Sequence, residues 1–308
     1  MKKFLVFAAW LFAIFLALTF ACDGLNLALV RSSSGNIAYK MERLFGDLAE
    51  DEIPILGSSR AENHFVPSEL GPDFFNYGIP GSPIGETLFL LRDLVMRKQS
   101  GLVVVNVDPR GFDEFEGLRG VFRGSYLLVA RSADVRRRLP PGVVRGIDWL
   151  PGIRFQGRLR ANLASAVNAW LSVTREIDRG AVLQKEFRTD DEWASIDKAM
   201  KPMDFSLPSE ACQATLDEIA RIVKARDGRL RVVFIIGPST PAWRNAFKGG
   251  DALRKWVKDF NAKMADSHLE ALDMFSDSDL ERNGFANPTH LNRDGAARFS
   301  RELKRRLR

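Results

Sequence analysis

Two short stretches carry residue types able to do covalent chemistry. Residues 55–62 read ILGSSRAE: an apolar run ends in Gly57, and the hydroxyls of Ser58 and Ser59 follow at a helix start. Residues 285–296 read FANPTHLNRDGA and place His290 just before the last helical pattern. A serine hydroxyl is a weak nucleophile until a base takes its proton, and imidazole is the side chain suited to do so near neutral pH. Backbone N–H groups at a helix start can steady a developing oxyanion. Ser59 and His290 are therefore the pair to place. Gly81 follows Pro80 in a turn signal, and Asn106 and Asp108 close the third apolar run. His64 and His268 read as structural histidines, and Cys212 as a core thiol.

Other chemistries lose support. Three histidines and two cysteines leave little room for a metal centre or a disulfide framework. Phosphate-loop, dinucleotide, G-x-S-x-G and H-E-x-x-H motifs are absent, so neither cofactor nor metal is expected. The net charge of +6 is modest and implies no nucleic-acid partner.

The elements that must position this pair alternate. Apolar runs at 53–57, 74–78, 102–107, 230–236 and, more weakly, 269–274 suit strands buried on both faces. Helical spacing separates them. Ser82-Pro83 opens one helix; Ser209 opens another, with Cys212, Leu216, Ile219 and Val223 on one stripe and Gly228 as the stop; Asn292 opens the last. Strands alternating with helices predict a doubly wound α/β domain with a parallel sheet, in which both Ser59 and His290 fall at the C-terminal edge. Residues 112–207 exceed any ordinary crossover and read as a helical insertion. Within it, residues 119–160 hold ten Arg against two acids, Asp134 and Asp148. That suits either a solvated, membrane-facing surface or a lid for an anionic polymer or headgroup.

Residues 4–22 contain no charge, and Lys2 and Lys3 precede them. At about 1.5 Å per residue this run nearly crosses a hydrocarbon core of about 30 Å, with the basic end held inside. A cleaved signal peptide and a lipoprotein signal are the competing readings. Thr19-Phe20-Ala21 is a poor cleavage site, and Phe20 stands where a lipoprotein box wants a small residue. The expectation is an anchor over 1–24, a stem over 25–50 and a domain over 51–308. The protein is thus expected to cross the inner (cytoplasmic) membrane once, with its domain in the periplasm.

Gly57-Ser58-Ser59, paired far downstream with Pro288-Thr289-His290-Leu291-Asn292, resembles the SGNH (GDSL-like) hydrolase superfamily. The nearest flavour is its membrane-anchored envelope branch, which includes the D-alanyl transfer protein of teichoic acid and the alginate acetylation proteins. NYGIPGSPIGE at 76–86 and VVVNVDPRGF at 103–112 look like the same group. The resemblance covers about 53–110 and 230–305. It implies a three-layer flavodoxin-like α/β fold and a serine-dependent esterase or O-acyltransferase. The substrate it implies is an acylated envelope polysaccharide or lipid-linked polymer, with a membrane acyl-donor protein as a further partner. By position it makes Ser59 the nucleophile, His290 the base and Gly81 an oxyanion donor. The family's third-block Asn falls near Arg110, so the second donor is Arg110, Asn106 or neither, and Asp108 is a binding residue or a strand cap. Asn287 stands where the family has its triad Asp; Asp273, Asp277 and Asp294 are other sources of that charge. A non-catalytic module that binds an envelope polymer or scaffolds its assembly is the alternative reading.

Overall fold

The computed structural model describes residues 2–46, 48–108, 175–185, 188–199, 207–275 and 280–308, with isolated positions between 160 and 205. The described residues fall into two compact units.

The first unit contains α1 (Lys2–Arg31) and α2 (Ile37–Gly46). Helix α1 continues nine residues past the apolar run, so the first part of the expected stem is helical. Its polar side chains are satisfied along the helix: Thr19 Oγ1 donates to the Phe15 carbonyl (2.8 Å) and Asn26 Nδ2 to that of Cys22 (3.0 Å). Phe4, Trp10, Phe12 and Phe15 stand exposed, and the helix is long and apolar enough to cross a membrane. In α2 the buried residues include Ala38, Met41 and Leu44, and Arg31 pairs with Glu42 at 3.3 Å.

The second unit is the α/β domain. Its five-stranded sheet comprises β1 (Ile53–Leu56), β2 (Phe74–Asn76), β3 (Gly101–Val107) and two later strands that we number β6 (Leu230–Ile236) and β7 (Leu269–Asp273). All neighbours are parallel, in the order β2-β1-β3-β6-β7, with registers such as Ile55↔Val104 and Val105↔Phe234. Counted along the chain this is 2-1-3-4-5, the flavodoxin-like order. The order reverses between β1 and β3, and the crevice at a reversal lies beyond the carboxyl ends of those strands. Ser59 follows one of them and Asp108 the other.

Alternating strand residues face two helical layers. Helices α3 (Ser59–His64) and α4 (Pro67–Leu70) share one face with the C-terminal α10 (Arg293–Leu307). Ile55, Val104 and Val233 there join Phe65, Leu70, Phe299 and Leu303 in one apolar cluster. Burying one such Phe is worth roughly 1.5–3 kcal/mol. The other layer contains α5 (Ile84–Arg97), α7 (Glu210–Lys224) and α9 (Gly250–Met264), the short α8 (Pro241–Ala246) preceding α9, with Phe234 set edge-on to Phe260 at 5.5 Å. Ser209 caps α7 by accepting from the Cys212 N–H (3.3 Å), and burial pushes the Cys212 thiol up to about 12. Helix α5 begins one residue later than Ser82-Pro83 suggests, and the Ser82 hydroxyl donates to Glu86 instead (3.2 Å).

Most of the expected helical insertion lies outside the described residues, and its described part holds both strand and helix. It contains an antiparallel hairpin, β4 (Arg175–Asp178) and β5 (Ala181–Gln184), before the helix α6 (Asp190–Ala199). Arg179 and Gly180 both adopt positive φ, as a tight two-residue hairpin turn requires. The Arg179 carbonyl accepts the Asn76 N–H at 2.8 Å, and a Cβ on Gly180 would lie 2.0 Å from the Asn76 oxygen. Close docking on β2 therefore fixes glycine at that position. The Arg-rich stretch 119–160 lies outside the described residues apart from Arg160.

Candidate active site

The turn after β1 is set by contact. Gly57 has φ +143°, and a Cβ there would meet Ala61 Cβ at 2.8 Å and the Asn106 carbonyl at 2.9 Å. Only glycine brings α3 this close to β3. Ser58 caps α3, its Oγ accepting the Arg60 N–H (3.4 Å), so Ser59 is the first helical residue and its own N–H has no intrahelical partner. Behind it, Asn63 Nδ2 donates to the Ser59 carbonyl (2.6 Å), and Gln184 of β5 donates to Asn63 Oδ1 (3.0 Å). Buried Asn76 at the end of β2 fastens the far end of α3: its Nδ2 donates to the Ala61 and Phe65 carbonyls (2.8 and 2.9 Å) and its Oδ1 accepts the Gly78 N–H.

The second half of the site is a short ribbon, β8 (Phe285–Asn287) and β9 (His290–Leu291). Its turn is organised by Asn287, whose Oδ1 accepts the N–H groups of Thr289 (3.1 Å) and His290 (3.0 Å) and the Thr289 hydroxyl (3.2 Å). Asx turns of this kind are a local preference of asparagine. Asn292 then caps α10 by accepting the Gly295 N–H (2.9 Å).

These two halves meet. His290 Nε2 lies 2.9 Å from Ser59 Oγ, joining residues 231 apart in sequence. On the other side of the ring, Nδ1 is 3.1 Å from Asn287 Oδ1 and 3.0 Å from Asn287 Nδ2. The two contacts have opposite chemical meaning. If Nδ1 carries the proton and donates to Oδ1, Nε2 presents a lone pair to Ser59. If Nδ2 donates to Nδ1, the proton sits on Nε2, which then donates to Ser59 and cannot act as its base. The backbone N–H groups fix which amide atom is oxygen, so both contacts belong to one side-chain orientation.

Buried Arg60 lies beside this pair. Its guanidinium donates to the carbonyls of Gly237 (3.3 Å) and Pro238 (2.6 Å) and to Ser239 Oγ (2.7 Å), and it stands 3.5 Å from Asp108. One side chain thus ties the carboxyl ends of β3 and β6. Burial first, then the Arg60 charge, lowers the His290 pKa to about 4, partly opposed by Asp108. His64 is wholly buried, and burial followed by Arg60 holds it well below its ordinary value.

The other residues singled out in the sequence are placed as follows. Gly81 has φ +75° and is exposed in a turn closed by the Ser82 N–H and the Ile79 carbonyl (3.1 Å). Pro80 and Gly81 are the central residues that a type II turn favours, and no described contact ties Gly81 to Ser59. Asn106 is buried in the sheet, with its Nδ2 donating to the Ile235 carbonyl (3.2 Å) rather than into the crevice. Asp108 is at the crevice, paired with Arg60. Arg110 and Asp277 lie outside the described residues. Asp273 accepts the Phe275 N–H (3.0 Å) and Asp294 stands by Arg293 at 3.7 Å, neither in a described contact with His290. His268 has φ +55° at the end of a short helical turn. Among the described residues no group of three metal-type ligands gathers.

Sequence reasoning gave no role to Arg60 or Asn76 and read His64 as structural alone. Arg60 adjoins the nucleophile candidate and Asn76 lies in a motif already singled out, yet their partners lie up to 179 residues away. Only the fold reveals them.

No family model matches the chain, and no curated protein does. Among solved structures, one described as "The structure of a putative platelet activating factor from Streptococcus pneumonia" is similar over 91% of this chain and 94% of that one, with 13% identity and a TM-score of 0.44.

Proposed function

We propose that the chain is a serine-dependent acyl ester hydrolase or O-acyltransferase. Its substrate class is an acylated envelope polysaccharide or lipid-linked polymer, met on the outer side of the cytoplasmic membrane to which α1 holds it. The observation that carries the catalytic part is the 2.9 Å contact between Ser59 Oγ and His290 Nε2. The length and apolarity of α1 support the membrane part. The envelope substrate and a membrane acyl-donor partner rest on the sequence resemblance.

In the reaction Ser59 Oγ attacks the acyl carbon while its proton passes to His290 Nε2. The carbonyl π electrons move to oxygen, and the Ser59 N–H at the start of α3 is a donor available to that oxyanion. Collapse breaks the bond to the leaving alkoxide, which takes the proton from His290 and leaves an acyl-serine. Water attacking that acyl-serine gives hydrolysis; an acceptor hydroxyl gives transfer. Asn287 serves this cycle through Oδ1, by holding the proton on Nδ1.

A second reading follows from the same amide. With Asn287 Nδ2 donating to Nδ1, the Ser59–His290 bond is static and the domain is a binding module for an envelope polymer or its assembly machinery. Aryl acetate hydrolysis by the wild type, Ser59→Ala and Asn287→Asp separates the two. Acyl chemistry predicts a slow wild type, background rates for Ser59→Ala and a faster Asn287→Asp. A carboxylate fixes the Nδ1–H tautomer and stabilises the imidazolium, an effect of up to about 10⁴ in kcat in a complete triad. If Ser59→Ala equals the wild type and Asn287→Asp is silent, the binding reading holds.

A further inference from the structure

We infer that His64 is a positioning residue for His290, acting through the carbonyl of Thr289. This rests on the acyl-transfer reading of Ser59 and His290.

Helix α3 begins at Ser59 and ends at His64. Its first residue meets the His290 ring, and its last lies 2.9 Å, through Nε2, from the carbonyl oxygen of the residue just before His290. A carbonyl only accepts, so the His64 ring donates from Nε2–H; burial, then the Arg60 charge, keeps the ring neutral. Its Nδ1 is then a buried lone pair without a hydrogen-bond partner, 3.3 Å from where a Cβ on Gly237 would be. An apolar ring would fill the same space beside Phe299 and leave no nitrogen unpaired. What histidine adds is the one donor to Thr289.

The turn that carries His290 is otherwise held by Asn287 from within and by the Thr240 N–H on the Pro288 carbonyl (3.3 Å). Neither of those contacts comes from α3. Through His64 a single six-residue helix sets both the position of the nucleophile and that of the base. The His64 ring is itself held edge-on to His290 and to Phe299, each at 6.2 Å. The charged groups facing His290 are Arg60 on α3 and Asp108 after β3. Neither contacts Thr289 in the described structure, so loss of the His64 bond is not made good by them.

The test uses the full chain in detergent micelles with ¹⁵N-labelled histidine. Three imidazoles, assigned by substitution, give a simple spectrum. In the wild type, His64 should show the neutral Nε2–H tautomer; a protonated Nδ1 with bare Nε2 would overturn the inference without any variant. Ser59→Ala should shift the His290 Nε2 resonance in the wild type and in His64→Gln, which keeps a donor, but not in His64→Phe. The kcat for aryl acetate should fall about 10²-fold in His64→Phe, as expected for a displacement near 1 Å, with KM within about twofold, and Gln should recover most of it. A folded His64→Phe that keeps both the Ser59-dependent shift and the wild-type kcat would reduce His64 to core filling. If the wild type shows no Ser59-dependent hydrolysis, the acyl-transfer reading falls, while the spectra still decide whether His64 places His290.

Discussion

At Asn287 one nitrogen stands where a triad acid would have an oxygen, and the behaviour of His290 follows from that exchange. Among the described residues no carboxylate lies behind the ring, and burial first, then the Arg60 charge beside it, lowers the His290 pKa from 6.5 to about 4. The sign for catalysis is direct: the neutral ring is the base, so kcat/KM for an aryl ester should be level above about pH 5 and fall as His290 protonates near pH 4. In Asn287→Asp that acid limb should move upward by at least one pH unit, because a carboxylate favours the imidazolium. The sign for stability is the same. Both His64 and His290 titrate lower in the folded chain than unfolded, so from about pH 6.5 downward the unfolded state binds protons that the folded state refuses. Thermal melts should show a Tm that declines from pH 7 to pH 5, and His64→Gln should flatten part of the decline. A Tm that rises on acidification through this window would contradict the buried, neutral assignment of both rings. Ser59 and His290 were legible in the sequence because each sits in a short block with a turn or cap signature. Arg60 was not, since its role depends on carbonyls presented by the end of β6.

Among the elements, α3 is the critical one and the least self-sufficient. Six residues form too short a helix to persist alone. It is held by Gly57 against β3, by Asn76 from β2 and by Gln184 from the hairpin. Asn76→Ala removes two donors from buried carbonyls and an acceptor from the Gly78 N–H. A loss of roughly 2–4 kcal/mol is expected, read as a lowered midpoint in chemical denaturation. Gly180→Ala, which forces a Cβ against the Asn76 carbonyl, should also destabilise, and it should lower Ser59 reactivity more than a surface substitution of equal stability cost. Equal reactivity at equal stability would mean that the hairpin does not brace α3. The strands of the sheet were readable as continuous β-branched runs, and the helix stripes by their period. The hairpin β4–β5 was not: two four-residue strands give too few repeats for alternation to stand out, and Asn76, on which its turn docks, precedes Arg179 by 103 positions.

At the scale of the molecule, the order β2-β1-β3-β6-β7 places the carboxyl ends of β1 and β3 side by side, and so brings Ser59 and Asp108 to one crevice. The last ribbon then supplies the imidazole. That alternation of elements was visible in the sequence; the sheet order came from the resemblance and is now read from the registers. Helix α1, with its exposed Phe and Trp side chains, gives a separate expectation. The full chain should stay with the membrane pellet through a high-salt wash, and mass spectrometry of the extracted protein should recover the peptide containing residues 4–22. A soluble product beginning near Cys22 or Asp23 would show instead that the segment is a cleaved signal.

The central claim is that this fold makes the Ser59 hydroxyl nucleophilic through His290. Its most direct measurement is covalent labelling of the full chain with a fluorophosphonate, followed by peptide mapping. The account predicts a single adduct on Ser59, absent in Ser59→Ala, slowed at least about 10²-fold in His290→Ala, and faster in Asn287→Asp. A folded wild type that stays unlabelled, or one labelled at Ser59 as fast without His290 as with it, would contradict the account.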